Sequence, residues 1–295
     1  MSSTAREKLW LAISPGLFVL LWSSGFIGAK FGLPYIEPLT FLLLRFACVI
    51  VLLLALALLL RRPWPHTPAR WGHIAVAGAL IHAGYLSGVF VAIHRGMPAG
   101  IVAVIVGIQP LLTAFISARL LGERVGPRQW SGLVLGFAGV VLVVFNKLGL
   151  AGASGAGAAF SILALLSITI GTVYQKRYCA ELDIWSGSVI QFVAAALVLL
   201  PFALIGETMQ IHWSGELLFA LAWLILVLSL GAISLLHALI RRGAATRVST
   251  LFYLVPPATA LLAFLVFGEN LSGLAIAGMA LAAAGVALAV TPAKT

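Results

Sequence analysis

The chain has 295 residues, 62% of them hydrophobic and 9% charged, with a formal net charge of +10. Soluble chains carry about 45–50% apolar and about 25% charged residues, so a water-soluble globule, a disordered chain, a collagen and a coiled coil are all excluded. What remains is a polytopic membrane protein whose Lys and Arg sit mainly in cytoplasmic loops. No basic run with interleaved aromatics points to a nucleic-acid partner. The two cysteines, Cys48 and Cys179, are far apart and lie in no Cys/His ligand spacing, so neither a disulfide, a metal site nor a cofactor is expected.

A membrane span needs about 20 apolar residues. Ten stretches qualify, and their length and continuity predict helices rather than barrel strands. The first, 11–30, follows Arg6 and Lys8 as a signal peptide would, but it runs past Trp22 without a small-residue cleavage site and reads as an uncleaved span. Trp22, Ser23 and Ser24 lie in its middle. An indole beside hydroxyls suits an amphiphilic ligand, and helix packing with the hydroxyls bonded to the preceding turn is the plainer reading.

The second stretch, 38–60, holds Arg45 about 12 Å deep at 1.5 Å per residue. Such an arginine must snorkel, pair or face water; it reads either as a snorkelling side chain or as a cavity cation for a carboxylate or phosphate. Glu37 lies two turns away. The third stretch, 72–93, carries His82 near its centre and Tyr85 at i+3 on the same face. His82 is the first candidate for proton coupling, set against a structural, hydrogen-bonded histidine.

The fourth stretch, 99–121, has Gln109 followed by Pro110 about halfway along, and the fifth, 129–146, has a face of Gly132, Gly136 and Gly139. Thr169 and Thr172 lie in the sixth, 157–175, with Tyr174 and Gln175 near its end and expected to be solvated. Gln191, in the seventh (185–206), stands in the place that corresponds to Arg45. After the eighth (216–239), the ninth (246–267) holds Tyr253 three residues before Pro256 and Pro257. The tenth (272–291) holds Gly273, Gly278 and Gly285. Mid-span prolines remove a backbone hydrogen bond, so Pro110, Pro256 and Pro257 are either static kinks or bends that shape and gate a cavity. The glycines are packing positions for close helix approach.

With the N terminus in the cytoplasm, fourteen Lys and Arg fall on the cytoplasmic side and three, Lys30, Arg95 and Lys147, on the other. That asymmetry predicts a multi-pass protein of the cytoplasmic (inner) membrane with both termini cytoplasmic. Six of the eight tryptophans sit near span ends, as an interfacial belt requires.

The halves also resemble each other. Shifting the first by 146 brings Pro110 onto Pro256, Thr113 onto Thr259, Gly122-Glu123 onto Gly268-Glu269, and Gly132 and Gly139 onto Gly278 and Gly285. Five spans per half put the copies in opposite orientation. The expected fold is all-α, with ten transmembrane helices in two inverted five-helix repeats, 1–150 and 151–295, and a site near the midplane served by alternating access. Inversion sets Glu123 and Glu269 at opposite faces, where a structural loop role is expected.

These residues carry a resemblance to a known family. The segments LLWSSGFIGAKFGL, LLLRF, GIQPLLTAFISARLLGERV with GLVLGFAGVVLVV, and YLVPPATALLAFLVFGENLSGLAIAGMALAAAGVALAV are similar to the EamA-type branch of the drug/metabolite transporter superfamily. The resemblance covers both halves. It implies a ten-helix exporter of metabolites, amino acids or drugs, with a cavity lined mainly by helices 1, 3, 4, 6, 8 and 9 and with helices 5 and 10 at the periphery.

The expected function is therefore export of a small metabolite, an amino acid or similar amphipathic compound, driven by a proton gradient or the membrane potential. Its partners are that small molecule and membrane lipid. A channel is the alternative, though no filter motif is visible. A membrane-embedded enzyme stands behind it: such chemistry needs clustered carboxylates, whereas Asp183 is the only aspartate and no two acids share a span. Without a Gly-Lys-Ser/Thr loop the chain does not pump with ATP by itself. The substrate-binding candidates are Trp22, Ser23, Arg45, His82, Tyr85, Gln109, Gln191 and Tyr253.

Overall fold

The computed structural model describes residues 3–95, 97, 102, 105–145, 155–242, 245–267 and 272–290. Glu269, Lys147 and Lys294 lie outside them. Among the described residues the chain is helical throughout, with one isolated antiparallel bridge, Ile36 to Ile211, between loops. In chain order the helices are α1 (Ser3–Gly32), α2 (Pro38–Leu59), α3 (Pro68–His94), α4 (Gln109–Leu120), α5 (Pro127–Val144), α6 (Gly155–Tyr178), α7 (Ile184–Gly206), α8 (Gly215–Ile240), α9 (Val248–Val266) and α10 (Gly273–Val290). Seven of these, α2, α3 and α6 to α10, are long and apolar enough to cross a membrane. Leucines and valines along them, such as Val51, Leu59, Leu197 and Leu265, face outward, as lipid-facing positions do. The chain is a polytopic membrane protein.

Local chemistry sets the helix ends. Pro38, Pro68 and Pro127 occupy first-turn positions, where a missing N–H costs nothing. Asp183 caps α7 by accepting from the N–H groups of Trp185 and Ser186, and Ser214 caps α8 by accepting from Leu217 N–H. Gly122 ends α4 with φ of +67°, a left-handed conformation that glycine adopts without strain.

Three helices are irregular in mid-course. A π turn, Ala79–Gly84, interrupts α3; a second, Leu224–Ala232, interrupts α8; a 3-10 turn, Leu251–Leu254, interrupts α9. Each rotates the side chains after it relative to those before it, and π turns concentrate at functional sites.

The α5 and α10 helices pack along glycine faces. A Cβ on Gly139 would strike the Ala282 backbone, one on Gly285 the Gly136 backbone, and one on Gly278 the Val143 backbone, so these positions admit only hydrogen where the helices cross. Gly273 has nothing within 4 Å and takes no part in that seam.

Candidate functional site

Gly78 in α3 builds one side of the centre. A Cβ there would collide with the Gln191 backbone of α7, so the glycine lets the two helices touch. One turn on, His82 lies on the same face and inside the π turn. It is fully buried, with Nε2 at 3.3 Å from Gln191 Oε1, and its ring stacks on Phe192 at 4.3 Å. Gln191 Nε2 in turn donates to Gln175 Oε1 at 3.1 Å. A buried chain thus links α3, α7 and α6. Gln175, expected to be solvated, is 4% exposed, because α6 turns that face inward before it ends.

An aromatic cluster lies across from it. Trp22 of α1 stacks on Tyr85 of α3 with centroids 6.3 Å apart, and Phe18 and Phe252 close the cluster at 5.2 Å from the indole. Tyr85 is buried with the rest. Phe252 belongs to the 3-10 turn of α9. Its neighbour Tyr253 points elsewhere, with its ring against Gly136 of α5. The structure therefore separates Tyr253 from Trp22 and supplies Phe252 in its place.

Ser23 donates to its own Val19 carbonyl at 2.7 Å and to the Val255 carbonyl at 3.2 Å. It fastens α1 to α9 where Pro256 and Pro257 follow the 3-10 turn. Pro110 stands in the first turn of α4, after a turn at Gly107–Ile108. The mirrored prolines thus both restart a helix after an irregular turn.

Arg45 is 1% exposed and does not reach the surface of the bundle. Its Nε donates to Ser229 Oγ at 3.0 Å, in the π turn of α8, and Ser229 passes its own proton to the Leu224 carbonyl at 3.0 Å. Nη2 has no hydrogen-bond partner among the described residues. The sequence singled out Arg45 but not Ser229, since a serine in an apolar run carries no periodic signal.

A second polar face runs along α4. Gln109, Thr113 and Ser117, at i, i+4 and i+8, are fully buried, and neither amide atom of Gln109 nor either hydroxyl has a partner among the described residues. By contrast Ser161, Thr169 and Thr172 of α6 bond back to carbonyls four residues earlier, which uses up their protons. Among the described residues no group of His, Cys, Asp and Glu could hold a metal ion.

Comparison with known proteins agrees in scale with this helical bundle. The model of the EamA-like transporter family matches residues 10–145 and again 155–291. The chain belongs to the EamA-like transporter family. Among relatives, the uncharacterized inner membrane transporter YedA of Escherichia coli K12 is 29% identical over 270 residues, 90% of this chain and 87% of YedA. The probable amino-acid metabolite efflux pump of Salmonella typhimurium is 26% identical over 292 residues, 96% of this chain and 94% of the pump. A solved crystal structure superposes with a TM-score of 0.77 at 22% identity, covering 95% of this chain and 96% of that one, which shows the shared fold. This EamA-like protein is accordingly a membrane transporter with a small-molecule substrate, and the family points away from an enzyme.

Proposed function

We propose that this EamA-like transporter exports a small amphipathic metabolite, an amino acid or a close relative of one, by alternating access between two inverted five-helix halves, 1–150 and 151–295. The two matches of the family model and the mirrored restarts at Pro110 and Pro256 support the duplication. The likeness to an amino-acid metabolite efflux pump supports the substrate class. The observation that carries the reading is the set of polar and aromatic side chains buried inside the bundle and paired within or across the halves: Trp22 with Tyr85, His82 with Gln191, and Arg45 with Ser229. A site shared between halves opens to either side when the halves rock.

In this scheme Trp22 and Tyr85 hold the apolar part of the substrate and Gln109 contributes its free amide. Ser23 and the prolines form the joint of α9 against α1. His82 carries the coupling proton, with Gln191 and Gln175 as its hydrogen-bonded continuation toward the end of α6. The excess of Lys and Arg at the ends of α2, α4, α6 and α8 supports cytoplasmic termini.

Efflux of radiolabelled phenylalanine, leucine or threonine from loaded proteoliposomes, with and without a pH gradient, tests the reading. Transport that His82→Ala uncouples from the gradient is expected. Efflux equal to empty liposomes for all twenty amino acids rejects it.

A further inference from the structure

We infer that Arg45 is the counter-ion site for a carboxylate, so that the substrate of this transporter is a monocarboxylate or a zwitterion and its carboxylate docks at the α2–α8 contact. The inference rests on the transport reading above and deepens it by naming the substrate group that must be present.

Three observations combine. First, the guanidinium is sealed from the surface, and an arginine stays protonated at any physiological pH, so the bundle holds a permanent buried cation. Second, four of the described acids are engaged elsewhere. Glu37 accepts from Thr208 and Met209, and Glu207 accepts from Leu39 and Thr40. Asp183 caps α7 beside Arg62, and Glu181 faces Arg70. None of the four pairs with Arg45, and an uncompensated buried charge is strongly unfavourable. Third, the side chain is held in place rather than loose. The Ser229 hydroxyl spends its proton on the Leu224 carbonyl and so turns a lone pair to Arg45 Nε, while Nη2 is left for a ligand.

That arrangement suits one negative charge. A planar guanidinium offers paired N–H donors that match a carboxylate. A phosphate dianion would call for a second cation, and Arg45 is the only Lys or Arg among the buried described residues. Arg45 shares the apolar core with Phe46, next in the chain, and with the aromatic cluster of Trp22 on α1, Tyr85 on α3 and Phe252 on α9. This favours a carboxylate on an apolar body.

The test is the thermal stability of the purified full-length protein in detergent. The ligands are L-phenylalanine, L-phenylalaninamide, phenethylamine and each other amino acid, with sodium chloride alone as the inorganic-anion arm. Phenylalanine or another amino acid is expected to raise the melting temperature of the wild type, with its amide and decarboxylated amine giving less than a tenth of the apparent affinity. Arg45→Gln should abolish that preference, and Arg45→Lys should keep part of it. Ser229→Ala keeps the charge and loses only the orienting hydroxyl, so it should weaken binding several-fold even if the Arg45 variants do not fold.

Equal stabilisation by acid and amide overturns the inference and leaves the transport reading standing, as does a carboxylate preference unchanged in both Arg45→Gln and Ser229→Ala. Stabilisation by chloride that phenylalanine does not exceed assigns the site to an inorganic anion and also overturns it. No effect of any amino acid on the wild type, together with no efflux, removes the transport reading and this inference with it.

Discussion

At both ends of the bundle, charged side chains meet the orphan backbone groups of helix termini, and the two arrangements differ. At one end, carboxylates meet helix N-termini and free backbone N–H groups. Glu207, at the end of α7, accepts from Leu39 N–H, Thr40 N–H and the Thr40 hydroxyl, each at 2.7 Å, and so caps α2 from another helix. Glu37, which stands at the cap position of α2 but makes no cap of its own, instead accepts from Thr208 N–H and Oγ and from Met209 N–H. His212 N–H donates to the Tyr35 carbonyl beside them.

At the other end, cations meet helix C-termini. Lys176 Nζ donates to the Ile240 carbonyl of α8 at 2.9 Å, and Arg177 donates to the Leu120 carbonyl of α4 at 2.8 Å. Each arrangement answers the helix dipole and its orphan backbone groups. The difference lies in arrangement. The carboxylate end is a reciprocal exchange of six hydrogen bonds between the two halves of the chain, whereas at the cation end the bonds of Lys176 and Arg177 stand beside the Asp183 cap of α7, the Arg62–Asp183 pair and the exposed Arg70–Glu181 pair. The Glu37–Glu207 exchange thus concentrates its hydrogen bonds on two carboxylates, and the Lys176 end spreads its contacts over several side chains.

Breaking the carboxylate end should cost most. Glu207→Ala removes three charge-assisted bonds from a part-buried site, for an expected loss of about 3 kcal/mol. That would appear as a melting temperature lower by about 5 °C in a detergent thermal-shift assay. Glu37→Ala acts on more exposed bonds and should cost about half as much, near 1.5 kcal/mol. The double variant should fall short of the sum by about 1 kcal/mol if the two glutamates act as one clasp, and strict additivity would dissolve it into two unrelated caps.

Lys176→Met should lose about 1 kcal/mol, and Arg177→Ala no more than about 0.5 kcal/mol, since an exposed charge on a helix terminus contributes little. A thermal-shift series in which Arg177→Ala exceeded Glu207→Ala would reverse the comparison.

The smallest effect concerns the Lys176 end. Burial pushes the Cys179 thiol up to about 11, where it packs with Ile74, Ala77 and Ile190. The thiolate reacts and the thiol does not, and below its pKa each pH unit raises the thiolate fraction about tenfold. N-ethylmaleimide labelling of a Cys48→Ser protein should therefore be slow at pH 7.5 and still climbing at pH 9.5, where an ordinary cysteine has levelled off. A plateau near pH 8.5 would mean that Cys179 is solvated and that this end stands open.

Much of this is legible in the amino-acid sequence. Pro110 and Pro256 announced two matching interruptions, because proline acts on its own backbone wherever it stands. The α5 and α10 glycines announced a close seam, since small residues at helical spacing have few other uses in lipid, although Gly273 proved to be outside it. Trp22, Tyr85, Arg45 and His82 stood out because each is expensive or amphipathic in an apolar run. The partners of those residues were not legible. Ser229, Gln175 and Phe252 are ordinary in their local sequence, and only the crossing of helices brings them to Arg45, Gln191 and Trp22. Thr169 and Thr172 bond back to the carbonyls one turn earlier, while Thr113 and Ser117 do not, a choice of rotamer that no spacing encodes.

The amino-acid sequence by itself determined that this chain lives in a membrane, that it is built from apolar helical stretches, and which family it resembles. Hydropathy, charge and proline act over one or two turns, and a window of that length reads them directly. Tertiary structure alone decided which polar groups meet. In hydrocarbon every buried donor seeks a partner from whichever helix lies nearest, and the choice of neighbouring helix is a property of the whole packed bundle, seen here in π turns that aim His82 and Ser229 inward and a 3-10 turn that swaps Tyr253 for Phe252.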